Sequence, residues 1–328
     1  MAILVTGGAG YVGSHFLLAG QSRGEIMVVL DDLSTGRPDL LPPGVPLVKG
    51  DTGDAELVAS VIRRYNIESI IHFAAKTSVP ESIAHPLLYY NENTSKARDL
   101  VETAIREGVP HFVFSSSAAV YGSCPGGVAE ETMLPAPISP YGRSKLITEW
   151  ILADVAAAHG LRFAALRYFN VAGADPDGRS GQTAPQSTHL IRLAVQAALG
   201  KLPGLVVHGV DYPTADGTCV RDYVHVSDLA QMHLATLDYL RRGGASVTMN
   251  CGYGHGASVL QVVEMVKRIS GANFPVTFGP RRIGDPPSLI ASVRRAHALL
   301  GLRPQYAELE VIVEHALAWE RRLVAQGG

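Results

Sequence analysis

The sequence predicts an α/β protein in which a doubly wound parallel sheet is joined to a smaller α/β lobe. Three observations predict it. Short apolar runs alternate with amphipathic stretches through the first half, a glycine-rich turn follows the first run directly, and from about residue 171 glycines and prolines interrupt the alternation.

Residues 2–6 read as a buried strand that runs straight into Gly7-Gly-Ala-Gly10-Tyr-Val-Gly13. Further apolar runs at 26–30, 69–73, 111–114 and 162–167 are short and bounded by turn residues, as buried parallel strands should be. Helices fill the gaps. Asp54 can cap one running to about Tyr65, and Ala97, Leu100, Val101, Ala104 and Ile105 keep one apolar face until Gly108-Val-Pro110 stops the next. Ligands of such a sheet bind at the carboxyl ends of its strands, where the glycine turn, Asp31, Asp51, Ser115 to Ser117 and Asn170 all fall.

Past residue 171 the texture is loop-rich, with Gly173, Pro176, Gly178, Gly181, Pro185, Pro203 and Gly204 between short apolar stretches. Strand-helix character resumes at 220–226 and in an amphipathic helix to Arg242. The expected division is therefore a first domain of 1–170, to which about 218–248 returns, and a second lobe of 171–217 and 249–328. That lobe ends in two helical patterns around a Pro-rich stretch from Pro280 to Pro287.

At 328 residues, 47% apolar and 18% charged, the chain can bury one large core and a smaller one. A formal charge of −2 gives no electrostatic reason to expect nucleic acid or an anionic membrane as partner. Cys124, Cys219 and Cys251 are odd in number and lack metal-type spacing, so the expectation is reduced thiols in a cytoplasmic protein with no bound metal. No apolar run approaches the ~18 residues of a membrane span, and a strand starting at residue 2 leaves no room for a leader peptide.

Gly7, Gly10 and Gly13 form a strand-to-helix turn without side chains, so backbone N–H groups and a helix N-terminus can approach a pyrophosphate. This is the signature of a Rossmann-type sheet. Asp31 ends the second run, where a carboxylate can bind the adenosine ribose hydroxyls and repel a 2′-phosphate. NAD is expected over NADP, with Arg37 farther along the loop as the opposing sign. Tyr141 and Lys145 stand four apart, where a helix stacks a phenol and an ammonium on one face. A cation beside the phenol, and an oxidised nicotinamide in addition, would lower its pKa and make it a base.

Motifs spread over nearly the whole chain resemble the extended short-chain dehydrogenase/reductase family, and within it the UDP-galactose 4-epimerase branch. They span residues 5–15, 72–75, 115–122, 139–145, 166–170, 216–225 and 281–285. In those enzymes bound NAD takes hydride from C4 of a UDP-sugar, the 4-keto sugar swings about its phosphate linkage, and hydride returns to the opposite face. The resemblance implies that Tyr141 is the base, Lys145 its electrostatic partner and nicotinamide-ribose ligand, and Ser117 the hydrogen-bond partner of the C4 oxygen. It assigns cofactor contacts to Gly7, Gly10, Tyr11, Val12, Gly13, Asp31, Asp51, Thr52, Phe73, Ala74, Ala75, Asn93, Ser115, Tyr141, Lys145 and Tyr168. Asn170 and Leu190 match positions at the UDP portion, Arg221 and Arg282 would pair with the pyrophosphate, and Asp285 with a ribose hydroxyl. A homodimer is implied through the helices at 93–107 and 141–158.

Two positions depart from the branch. Thr77 stands where relatives often carry a lysine, with Lys76 one place earlier, and Leu289 stands where a tyrosine narrows the sugar pocket of some relatives. The smaller Leu289 implies room for N-acetylhexosamines, and nothing in the chain reports on C6, so a pentose is also open. Two rival readings remain: a sugar-nucleotide 4,6-dehydratase, whose added acid-base pair would fall at Ala118 and Ala119, and a non-catalytic NAD-binding protein of the same fold.

Overall fold

The computed structural model describes residues 1–184, 188–282 and 284–326, so Pro185, and Ile283 within the 281–285 motif, lie outside the described residues. Seven parallel strands make the central sheet: β1 (Ala2–Thr6), β2 (Met27–Asp31), β3 (Leu47–Lys49), β4 (Ile67–His72), β5 (His111–Ser117), β6 (Arg162–Tyr168) and β7 (Val247–Cys251). Their spatial order is β7-β6-β5-β4-β1-β2-β3. Growth of the sheet reverses between β1 and β4, and the crevice beyond their carboxyl ends is where a doubly wound fold takes its ligand.

Helices α1 (Tyr11–Ser22), α2 (Ala55–Tyr65), α3 (Lys96–Arg106), α4 (Pro140–His159) and α5 (Val226–Arg241) cover the two faces. The pleat explains why β1 is apolar at every position. Leu4 points into one core with Ile62, Leu100, Phe112 and Leu152, while Ile3 and Val5 point into the other with Phe16, Leu17, Leu234 and Leu237. Each such side chain contributes roughly 1.5–3 kcal/mol on burial.

Local signals fix the helix ends. The Asp54 carboxylate accepts from Leu57 N at 3.0 Å to start α2, and Ser139 Oγ accepts from Gly142 N at 3.1 Å to start α4. Ser115, Ser116 and Ser117 lie inside β5, paired with Leu166, Arg167 and Tyr168, so the strand is longer than its apolar part.

The run at 220–226 is not one strand. It divides at Asp222: Val220–Arg221 joins Ala257–Ser258 and Ser288–Ala291, whereas Tyr223–His225 pairs with Asn170–Ala172. The cause is the buried Asp222 carboxylate, which accepts from the backbone N–H groups of Tyr253, Gly254 and Ala291 at 2.8, 2.9 and 3.1 Å. Its neighbour α5 packs on α1, and the chain reaches the edge of the main sheet as β7, ending at Cys251. A separate apolar core gathers Ile191, Val195, Val207, Val262, Val266, Ile312 and Leu317.

Leu100, Val101 and Ala104 of α3 are turned into the sheet core, and Ala97 is buried. Ile83, Leu87 and Trp150 are among the exposed large apolar side chains. Among the described residues no helix is long and apolar enough to cross a membrane.

Candidate active site

At the end of β1, Gly7 adopts φ +69°, and a Cβ there would lie 2.5 Å from Ala74 N on the neighbouring loop. A Cβ on Gly13 would lie 2.3 Å from the Gly7 carbonyl oxygen. The absent side chains let α1 begin against the strand end, and its first-turn N–H groups, at Tyr11, Val12 and Gly13, have no intrahelical acceptor. This cradle fits a pyrophosphate. The Tyr11 phenol itself donates to the Gly173 carbonyl at 2.7 Å, which leaves the backbone N–H as that residue's contribution to the cradle.

Asp31, the last residue of β2, is buried and accepts from Ala9 N at 2.9 Å and Leu33 N at 2.9 Å. Burial raises its pKa against the pull of those N–H groups, and the adjacent Asp32 adds to the rise. Arg37 is forked onto Asp39, so its charge is already engaged two residues away. Asp51 is held by Lys96 Nζ at 2.6 Å beside the buried Thr52. Asn93 is buried with its amide tied to the Lys76 backbone at 2.8 and 2.9 Å and to Ser144 Oγ at 3.2 Å. Its amide therefore holds the loop after β4, in which Phe73, Ala74 and Ala75 lie.

Ser117, Tyr141 and Lys145 come together at the carboxyl end of β5. Lys145 is buried, donates to the Ser115 carbonyl at 2.8 Å and lies 4.9 Å over the Phe114 ring. Desolvation pushes its pKa down to about 7, opposed by the charge of Glu149. The Tyr141 phenol is pushed up by burial, and a hydrogen bond to Ser117 pulls it the other way. The Lys145 ammonium is turned to the Ser115 carbonyl, and desolvation is the larger effect on the Tyr141 phenol. Ala118 and Ala119 follow in the turn after β5, where Ala119 N donates to Ser117 Oγ at 3.2 Å.

Beneath this cluster lie groups that sequence reasoning missed. Glu149 and Arg167 form a buried forked ion pair, with Arg167 Nε and Nη2 at 3.0 and 2.6 Å from the carboxylate, and Ser116 Oγ also donates to Glu149. Glu149 sits four residues past Lys145, a spacing that could have marked it as a third member of the same helix face. Ser115 Oγ lies 2.7 Å from the Tyr168 hydroxyl, which in turn bonds His233 Nε2. No local signal points to His233, because only tertiary packing brings α5 there.

On the second lobe, Arg221 Nη2 and Asp285 Oδ1 are 3.4 Å apart, and Arg221 Nη1 donates to the Pro286 carbonyl at 2.8 Å. The structure thus brings together two residues expected at different parts of one ligand. Arg282 is exposed on the same loop, and Asn170 opens its strand, exposed. Leu190 begins the Leu190–Ala198 helix. Leu289 packs against the cluster of Ala118, Tyr121, Cys124, Phe169 and Ala291, which borders the turn after Ser117. His225 is buried against His315 at 3.0 Å, a structural position. Among the described residues no group of three or more His, Cys, Asp or Glu could hold a metal.

Residues 3–252 match the NAD dependent epimerase/dehydratase family. The chain is 52% identical to a UDP-glucose 4-epimerase of Azospirillum brasilense over 99% of its own length and 94% of that protein. Its structure is similar to that of a UDP-glucose 4-epimerase from Brucella ovis in complex with NAD, with TM-score 0.94, 40% identity and 97% of each chain covered. A UDP-Glc/GlcNAc 4-epimerase from Campylobacter jejuni also matches, with TM-score 0.86, 42% identity and coverage of 98% of this chain and 99% of that one. The glycine cradle at the switch point, the acid ending the second strand, Ser117 and the Tyr141 and Lys145 of α4 all lie within a matched length that takes in three quarters of the sequence: the chain belongs to the NAD dependent epimerase/dehydratase family.

Proposed function

We propose that this chain is a UDP-sugar 4-epimerase with tightly bound NAD, interconverting UDP-galactose and UDP-glucose and admitting N-acetylated or pentose forms. The observation that carries the reading is the convergence of Ser117, Tyr141 and Lys145 at the sheet end that also bears the Gly7 to Gly13 cradle. The activity named for the Azospirillum brasilense relative and the NAD of the Brucella ovis structure support it. NAD, when bound, supplies the hydride acceptor and donor for C4.

In this reading the first domain, 1–170 with about 218–248, holds NAD, and the lobe of 171–217 and 249–328 holds the UDP-sugar. Tyr141 takes the C4 hydroxyl proton and returns it to the same oxygen, with Ser117 hydrogen-bonded to that oxygen throughout. Lys145 holds the nicotinamide ribose. Gly7, Gly10, Tyr11, Val12 and Gly13 cradle the pyrophosphate of NAD through backbone N–H groups, Asp31 takes the adenosine ribose, and Asp51, Thr52 and the 73–75 loop line the remainder. Arg221 and Arg282 clamp the diphosphate of the sugar nucleotide, Asp285 takes a ribose hydroxyl, Asn170 and Leu190 flank the UDP portion, and Leu289 faces the sugar. Ala118 and Ala119 supply neither acid nor base for water loss, which favours epimerisation over dehydration.

A homodimer in the cytoplasm belongs to the same proposal. It would form through the helices at 93–107 and 141–158, the second of which carries the exposed Trp150. Protein purified without added cofactor should interconvert UDP-glucose and UDP-galactose and release NAD on denaturation. Tyr141→Phe should cut turnover by orders of magnitude while retaining NAD, and unchanged turnover would remove Tyr141 as the base.

A further inference from the structure

His233 is fully buried on α5, ringed by Phe16, Phe73 and Tyr168 at centroid distances of 6.1, 4.9 and 5.4 Å. Its Nδ1 lies 2.8 Å from the Leu229 carbonyl oxygen. A carbonyl oxygen can only accept, so Nδ1 carries the ring proton. Burial holds the imidazole pKa down to about 4, the ring is neutral at physiological pH, and Nε2 is left as an acceptor.

The direction of the whole chain of bonds follows from that one carbonyl. The Tyr168 hydroxyl donates to His233 Nε2, and Ser115 Oγ, 2.7 Å away, donates to the Tyr168 oxygen. The phenol has one donor and two acceptor lone pairs. Its donor is committed to His233 and one lone pair to Ser115, so only an acceptor remains for anything that meets Tyr168 at the end of β6. Register puts Tyr168 beside Ser117, and Ser115 is the residue whose carbonyl receives Lys145. The relay therefore borders the reacting cluster.

We infer that His233 is a positioning residue for the cofactor: by accepting the Tyr168 proton it makes that phenol a fixed hydrogen-bond acceptor, which selects the amide N–H2 side of a nicotinamide-type carboxamide and so sets the ring's rotation. The inference rests on the NAD-binding reading above. A phenol free to rotate its proton would receive either side of the carboxamide.

The test compares wild type, His233→Leu, Tyr168→Phe and the double variant, each freed of cofactor and titrated with NAD, with UDP as the control ligand. Loss of one buried hydrogen bond predicts about 10-fold weaker NAD binding for each single variant, with UDP affinity changed by less than about twofold. The double variant should bind NAD no more weakly than either single, because both remove the same relay. A merely structural role for His233 would give additive losses, and additivity overturns the inference, as does NAD affinity within about twofold of wild type in His233→Leu. If His233→Leu does not fold, Tyr168→Phe decides alone by the same criterion. Wild-type protein that binds no NAD would overturn the cofactor reading itself, and this inference with it.

Discussion

Replacing Glu149 by Gln tests how the cluster is supported. Glu149 and Arg167 are each 6% exposed at the side chain, and two of the three guanidinium nitrogens lie on the carboxylate. The third, Nη1, has no hydrogen-bond partner among the described residues, and the guanidinium carbon lies 4.7 Å over the Tyr121 ring, so no solvent is at hand to take over the charge. Two unit charges at about 4 Å with an effective dielectric of about 20 attract by ~4 kcal/mol, and breaking a buried pair from one side costs ~3–5 kcal/mol. Gln keeps an oxygen for Arg167 or Ser116, so the expected loss is near the lower figure, about 3 kcal/mol. Urea unfolding followed by tryptophan fluorescence measures it. The pair Glu149→Leu with Arg167→Met removes both charges and should restore most of the loss. A loss under about 1 kcal/mol in Glu149→Gln, or a double variant as unstable as the single, would refute this account of the buried charge.

Other outcomes follow from the same structure. Gly13→Ala places a Cβ 2.3 Å from the Gly7 carbonyl and 2.7 Å from Gly8 Cα, so the cradle must open; purified protein should retain less than about a tenth of the wild-type NAD, and full retention would count against the cradle. Burial lowers His15 and His233 to about 4 and His72 and His225 to about 3. Each of these rings takes up its proton in the unfolded chain first, so stability is fully present above pH 6.5 and falls as pH drops toward 4, by about 3 kcal/mol for a ring shifted to 4. A urea midpoint that stays flat from pH 7 to about 4.5 would contradict this. Leu289→Tyr adds bulk beside Cys124 and Ala291 and should lower kcat/KM for UDP-GlcNAc by about 10-fold or more with a smaller effect on UDP-galactose; equal effects on both would remove Leu289 as the selector.

What could be read from the chain was what local chemistry dictates. Gly7, Gly10 and Gly13 announce a side-chain-free turn, Asp54 announces a helix start, and Tyr141 and Lys145 share a face because a helix repeats that way. The break at Asp222 was illegible, since a run of strand-forming residues gives no hint that a carboxylate will gather N–H groups from residues 253, 254 and 291. Likewise nothing local to Asn93 shows that its amide will be tied to Lys76 and Ser144. The spacing of Tyr141 and Lys145 shows that a lysine is near the phenol but not that its ammonium turns to a carbonyl on β5. Glu149, Arg167 and His233 became visible only when strands and helices far apart in sequence were packed together.

The position of β7 bears on how the protein is made. Its partner β6 ends at residue 168, whereas the residues that pair with it begin at 247. During synthesis the first six strands can assemble while β6 still presents an open edge of unpaired N–H and C=O groups, and that edge is paired only once Val247–Cys251 has left the ribosome. A nascent chain stalled between these points is the species most exposed to pairing with another copy through its edge. In the finished sheet β7 takes the place of β6 as the edge strand, so Val247–Cys251, more than the Gly7 to Gly13 cradle, sets what this end of the sheet presents to another chain.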